Sequence, residues 1–207
     1  MNMVLYIDGS RRALPKRTSA IGWGLVALHN GHHIEHTGGL LVNNEACGDH
    51  EMFALVEGVR FALTAGVPFD QLSVFSDDET VAYGAQALHP GNYCQDKARA
   101  LTERLNRVTN RLGAPDTLRH AVLECLTTSR FVKVKAHRRT VYQNRADYLA
   151  KKASQRAAGE SATVRGYDDW LAQGFLFYLD AGQSTEVWYP PFVPSPVEEP
   201  QLELALA

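Results

Sequence analysis

Met3-Val4-Leu5-Tyr6-Ile7-Asp8-Gly9-Ser10 is an apolar run that ends in a carboxylate and a Gly-Ser turn signal. A short apolar run bounded by turn formers reads as a buried strand. A carboxylate at the end of a strand is ordinarily a turn former. Here the pattern recurs: Leu72-Ser73-Val74-Phe75-Ser76-Asp77 is a second strand-like run closed by an acid. With the two strands side by side, Asp8 and Asp77 meet at one sheet edge. Two ionised carboxylates that close repel unless a cation lies between them, so the pair predicts a divalent metal.

Two further acids suit the same place. Glu51 stands early in a pattern in which Met52, Leu55, Val56, Val59 and Leu63 recur at helical spacing. Asp147 opens another, with Ala146, Leu149, Ala150 and Ala153 on one face. Acids in a first helical turn also serve simply as partners of the helix dipole, so neither carries weight alone. With Asp8 and Asp77 they form one ordered set: Asp on a strand, Glu on a helix, Asp on a strand, Asp on a helix.

At this point the chain resembles the ribonuclease H family, type I. The residues that carry the resemblance are Ile7-Asp8-Gly9-Ser10, Glu51-Met52-Phe53-Ala54-Leu55, Phe75-Ser76-Asp77-Asp78-Glu79-Thr80-Val81, and Val134-Lys135-Ala136-His137 followed by Asn144-Arg145-Ala146-Asp147-Tyr148-Leu149-Ala150. They run in the family's order, with similar gaps, from about residue 3 to residue 155. The resemblance implies a ribonuclease H-like α/β fold, a five-strand mixed sheet flanked by helices. It implies endonucleolytic hydrolysis of the RNA strand of RNA–DNA hybrids with two Mg2+ ions, Mn2+ substituting. An all-carboxylate donor set suits such hard cations. By the resemblance, Asp8 bridges both ions, Glu51 and Asp77 hold the ion nearer the leaving group, and Asp147 holds the ion nearer the attacking water. His137, ten positions before Asp147, would relay protons or help product leave, on a loop it shares with Arg138 and Arg139. Asn43, Asn44 and Arg138 are candidate nucleic-acid contacts. Recognition would use 2′-hydroxyls and phosphates in the minor groove of the hybrid, without base readout.

The chain departs from the family in two places. The family usually has Asn four residues before its last Asp; here Gln143 holds that position and Asn144 follows. The loop from Asn43 to Asp49 is longer than usual. Asp78 sits beside Asp77, and Asp77 is assigned to the site because Val81 and Gly84 then fall in step after it. The rival readings are a hybrid-binding module without catalysis and another nuclease on the same fold, such as a DNA exonuclease or integrase. Proofreading-type exonucleases carry Asp-x-Glu on the first strand, and Ser10 in the third position disfavours them.

Composition narrows the classes further. The chain has 207 residues and a hydrophobic content of 45%, enough for a packed core. No apolar run approaches the length of a membrane span and no signal pattern opens the chain, so a cytoplasmic protein without membrane contact is expected. Cys47, Cys94 and Cys125 are odd in number, lack metal-ligand spacing and read as free thiols. His32, His33 and His36 read as surface residues before zinc ligands. The net charge of −2 hides an asymmetry: residues 166–207 hold seven acids and no base, and all 21 Lys and Arg precede them. A basic body with an acidic tail suits a nucleic-acid binder that carries a separate segment for another task.

Residues 1–158 are expected to form the catalytic domain. Within it, strands are predicted over 3–9, 20–29, 32–41, 71–76 and 131–136, and helices over 50–65, 79–88, 94–112, 117–127 and 143–158. On the 94–112 helix, Leu101, Leu105, Val108 and Leu112 make a buried stripe, while Lys97, Arg104, Arg107 and Arg111 repeat on another face. That basic stripe is either a solvated surface or a contact to the DNA strand, which a basic protrusion near this place grips in the family. Residues 159–189 read as an appended hairpin, with aromatic runs either side of Asp180-Ala181-Gly182. Residues 190–207 read as a mobile Pro-rich tail. Its end, Gln201-Leu202-Glu203-Leu204-Ala205-Leu206, resembles the motif by which bacterial proteins dock on the replication sliding clamp. Gln201, Leu202, Leu204 and Leu206 would be its anchors.

Overall fold

The computed structural model of the protein describes residues 2–15, 18–43, 49–89, 94–135 and 141–159. Cys47, Asn44, His137, Arg138, most of the predicted hairpin segment and the whole tail lie outside the described residues, as does the side chain of Asn43.

Three long strands come first, β1 (Met3–Leu14), β2 (Thr18–His29) and β3 (His32–Asn43). Helix α1 (His50–Thr64) follows, then β4 (Leu72–Ser76), α2 (Glu79–Leu88), α3 (Gln95–Leu112), α4 (Asp116–Thr128), β5 (Arg130–Lys133) and α5 (Val141–Ala157). The five strands form one sheet in the order β3-β2-β1-β4-β5. β1, β2 and β3 are an antiparallel meander, while β4 and β5 join parallel to β1. The sheet is mixed, as the sequence predicts.

Alternation along β1 builds the core. Met3, Leu5 and Ile7 are fully buried on one face of the sheet, where Leu72 and Val74 of β4 lie beside them. α1 lies on this face with Met52, Phe53, Leu55 and Val56 buried, and Leu101 and Leu105 of α3 and Leu126 of α4 close it. α5 covers the opposite face over β1, β2 and β3. It approaches so closely that a Cβ at Gly24 would strike the Ala146 carbonyl, and one at Gly22 the Ala150 carbonyl. Glycines in a strand mark such an approach.

Two strand ends differ from the expectation. The Gly9-Ser10 pair does not end β1, which continues to Leu14 because β2 runs beside it as far as the Leu14–Thr18 pair. Gly9 marks a close approach, since a Cβ there would run into the His50 carbonyl at the start of α1. β5 stops at Lys133, three residues early, because its sole neighbour β4 ends at Ser76. The remaining boundaries all fall within two residues of those predicted.

Candidate metal centre

The parallel register of β1 and β4 decides where the acids go. The last pair is Tyr6 with Phe75. Asp8 lies two residues beyond Tyr6, and Asp77 two beyond Phe75, so both emerge at the same height at the same edge. Glu51 enters from above, in the first turn of α1. The bare Cα of Gly9 lets that turn settle on β1, and the Gly9 amide donates to Glu51 Oε2 at 3.0 Å. Asp8, Glu51 and Asp77 each offer an oxygen within 4.8 Å of the other two. Asp8 is 4% and Glu51 7% exposed. No other group of three such ligands converges among the described residues.

This crowding shows in the acidities. Burial pushes the Asp8 carboxyl well above the usual range, and the charges of Glu51, Asp77 and Asp147 push the same way. Burial and the nearby charges of Asp77 and Asp78 raise Glu51 to about 8. The Asp8 and Glu51 side chains share a hydrogen bond, which needs a proton on one of them. Such a pair keeps a proton at neutral pH unless a cation replaces it.

The fourth acid stands apart from the tight set. Asp147, on α5, is near enough to act on Asp8 by its charge. Its carboxylate accepts from Lys151 Nζ at 2.6 Å, one helical turn on. Gln143, where the family has Asn, is 1% exposed and donates through Nε2 to the Ile7 carbonyl at 2.9 Å. It thereby fastens the first turn of α5 to the residue before Asp8. Asp78 is the N-cap of α2, its Oδ1 accepting from the Val81 amide at 2.7 Å. Its cap role separates it from Asp77.

The basic stripe of α3 is divided. Arg107 forms two bonds of 3.0 Å to the Asp49 carboxylate. Arg104, only 11% exposed, lies 3.5 Å from Asp49 and 3.3 Å from Asp78. Lys97 is exposed, 5.4 Å from the Tyr83 ring centre, and Arg111 is half-buried. Lys133, which the sequence did not single out, donates to the Asp77 carbonyl at 2.6 Å and to the Val134 carbonyl at 3.2 Å. No local pattern marks it, because its place opposite Ser76 follows from the β4–β5 register.

No protein-family model matches the chain, nor does any curated protein. Solved structures do. RNase H1 from the halophilic archaeon Halobacterium salinarum NRC-1 is 22% identical and aligns over 76% of this chain and 100% of its own, with a TM-score of 0.44. LC11-RNase H1, solved in complex with an RNA/DNA hybrid, is 18% identical over 76% of this chain and 99% of its own, with a TM-score of 0.49. A prototype foamy virus protease–reverse transcriptase is 20% identical and gives 0.51; it aligns with 74% of this chain, which spans 21% of the viral one. The likeness to the viral structure is one of fold: an antiparallel β3-β2-β1 meander extended in parallel by β4 and β5, with helices on both faces, which is the ribonuclease H-like arrangement that the sequence resemblance implies.

Proposed function

We propose that the chain is a metal-dependent endonuclease that hydrolyses the RNA strand of RNA–DNA hybrids. The observation that carries this reading is the convergence of Asp8, Glu51 and Asp77 at one edge of a ribonuclease H-like sheet. Three mutually repelling oxygen donors fit a small hard cation, and Mg2+ or Mn2+ meets that description. Bound divalent ions would activate a water and stabilise the leaving oxygen of a phosphodiester. Asp8, Glu51 and Asp77 would hold them, with Asp147 completing the set. Lys133 steadies the backbone of Asp77, the Gly9 amide orients Glu51, and Gln143 ties α5 to β1. His137 would relay protons beside Arg138. Lys97 and Arg111 would reach duplex phosphates, with Asn43 and Asn44 on the other strand.

The test is cleavage by the purified full chain of hybrid, duplex DNA, duplex RNA and single strands, each with Mg2+ or EDTA. RNA-strand cleavage of the hybrid that EDTA abolishes is expected. Tight hybrid binding without cleavage would leave a binding module, and cleavage of DNA strands alone would leave another nuclease. The tail, by its Gln201-to-Leu206 motif, would bring the enzyme to replication forks through a sliding clamp. A labelled peptide of residues 196–207 should then bind the host's clamp saturably below about 100 μM, near −5.5 kcal/mol.

A further inference from the structure

Asp49 is an odd helix cap. It holds the N-cap position of α1, two residues before Glu51, yet its side chain caps no amide. It is 2% exposed. An N-cap Asp normally accepts from an amide of the first turn. Here the carboxylate is turned to α3, bound in two places by Arg107 and approached at 3.5 Å by Arg104. Arg104 also reaches Asp78 Oδ1 at 3.3 Å. Asp78 is itself immobilised: its amide donates to Ser76 Oγ at 3.1 Å and its carboxylate caps α2.

One guanidinium therefore spans two carboxylates, one two residues before Glu51 and the other next to Asp77. It is anchored on a helix whose Leu101, Leu105 and Val108 are fully buried. Buried ion pairs are weak evidence of stability, because desolvation offsets the attraction. Their best-attested use is to fix a geometry. There is a geometry to fix here, since the clustered carboxylates drive the start of α1 and the end of β4 apart. A planar, forked cation suits the bridge, where a Lys point charge would not.

We propose that Arg104 is a positioning residue that holds the Glu51 and Asp77 carboxylates at ion-binding separation before any ion arrives, through Asp49 and Asp78. The proposal rests on the metal-site reading above. It assigns Arg104 a role different from a phosphate contact, and the two make opposite demands on one experiment. Mn2+ binding to the full chain is measured by calorimetry for wild type, Arg104→Gln, Arg104→Lys and Asp78→Asn. Arg99→Gln serves as control, because Arg99 is exposed and pairs with exposed Glu103 one turn away. The KM for hybrid and its salt slope are measured in parallel.

Loss of a residue that orients metal ligands typically weakens metal binding by about 10–100-fold. Arg104→Gln and Asp78→Asn should each weaken Mn2+ binding by about tenfold or more, Arg104→Lys should lie between, and Arg99→Gln should change nothing. KM and its salt slope should stay as in wild type. If Arg104→Gln does not fold, Arg104→Lys carries the test, because it keeps the charge and loses the planar fork that spans Asp49 and Asp78. Unchanged Mn2+ affinity in Arg104→Gln and Asp78→Asn overturns the proposal, and a flattened salt slope in the same variants would make Arg104 a phosphate contact. A wild-type chain that binds no Mn2+ defeats the metal-site reading itself, an outcome distinct from equal binding by wild type and variants.

Discussion

Asp8, Glu51 and Asp77 form one region of the site and Asp147 another, and the protein treats them differently. The first three are fixed by strand register and by a helix start seated on Gly9, and they face one another within 4.8 Å. Asp147 sits on a helix across the sheet and is paired with Lys151 at 2.6 Å. The tight set stores repulsion that a divalent cation would relieve. The lone acid has already found a cation of its own and would have to exchange it. On the proposed reading, one half of the site would capture an ion and the other would have to exchange one.

The largest effect should come from Asp8→Asn, which removes a charge at the centre of the tight set. Hybrid cleavage should fall well below a tenth of the wild-type rate, because metal clamps contribute several kcal/mol. The fold should survive, and the metal-free variant should melt no lower than wild type, since a buried like-charge repulsion has gone. Parallel measurement of melting and cleavage checks both. A variant that keeps more than about a tenth of the activity would remove Asp8 from the ion-holding role.

How much of this was legible in the sequence depends on the distance over which each feature is decided. Strands, helices and the acids at their ends come from local pattern, and Asp8 and Asp77 come together once two strands are placed side by side, whereas Glu51 joins them through its helical pattern and the family resemblance. Asp49, by contrast, reads as an ordinary helix cap. Nothing local announces that Arg107, 58 residues on, would claim its carboxylate. Helical spacing put Arg104 and Arg107 on one face of α3 but could not say that the start of α1 would lie against it. Gly9-Ser10 reads as a turn for a similar reason, because the close approach of α1 is a tertiary fact. The Lys151 partner of Asp147 is legible from the sequence, since it lies four residues on along the same helix.

Proton linkage offers a second, intermediate test of the tight set. Asp8 and Glu51 bind protons more strongly folded than unfolded, so the folded metal-free protein holds more protons near neutral pH. Its stability should therefore fall as pH rises, with the full contribution present below about pH 4.5 and lost as pH passes through about 8. Each extra proton held by the folded state gives a slope of about 1.4 kcal/mol per pH unit. Melting in EDTA from pH 5 to 9 should show the decline, Asp8→Asn should flatten it, and Mg2+ should oppose it by replacing the protons. A flat wild-type profile would mean that the three acids are farther apart in solution.

Lys151→Gln should have the smallest effect, and it addresses the other half of the comparison. The Lys151 side chain is 42% exposed, so its pair with Asp147 is screened and is worth at most about 1 kcal/mol. Freeing Asp147 should therefore change melting by little, while the Mg2+ concentration for half-maximal cleavage falls by up to about fivefold. Asp147→Asn should raise the same midpoint, because it removes the ligand along with the charge. Opposite shifts from two members of one ion pair would mark Lys151 as a competitor for the carboxylate. If both variants raise the midpoint, Lys151 instead orients Asp147 toward the ion, and the two halves of the site are more alike than their geometry suggests.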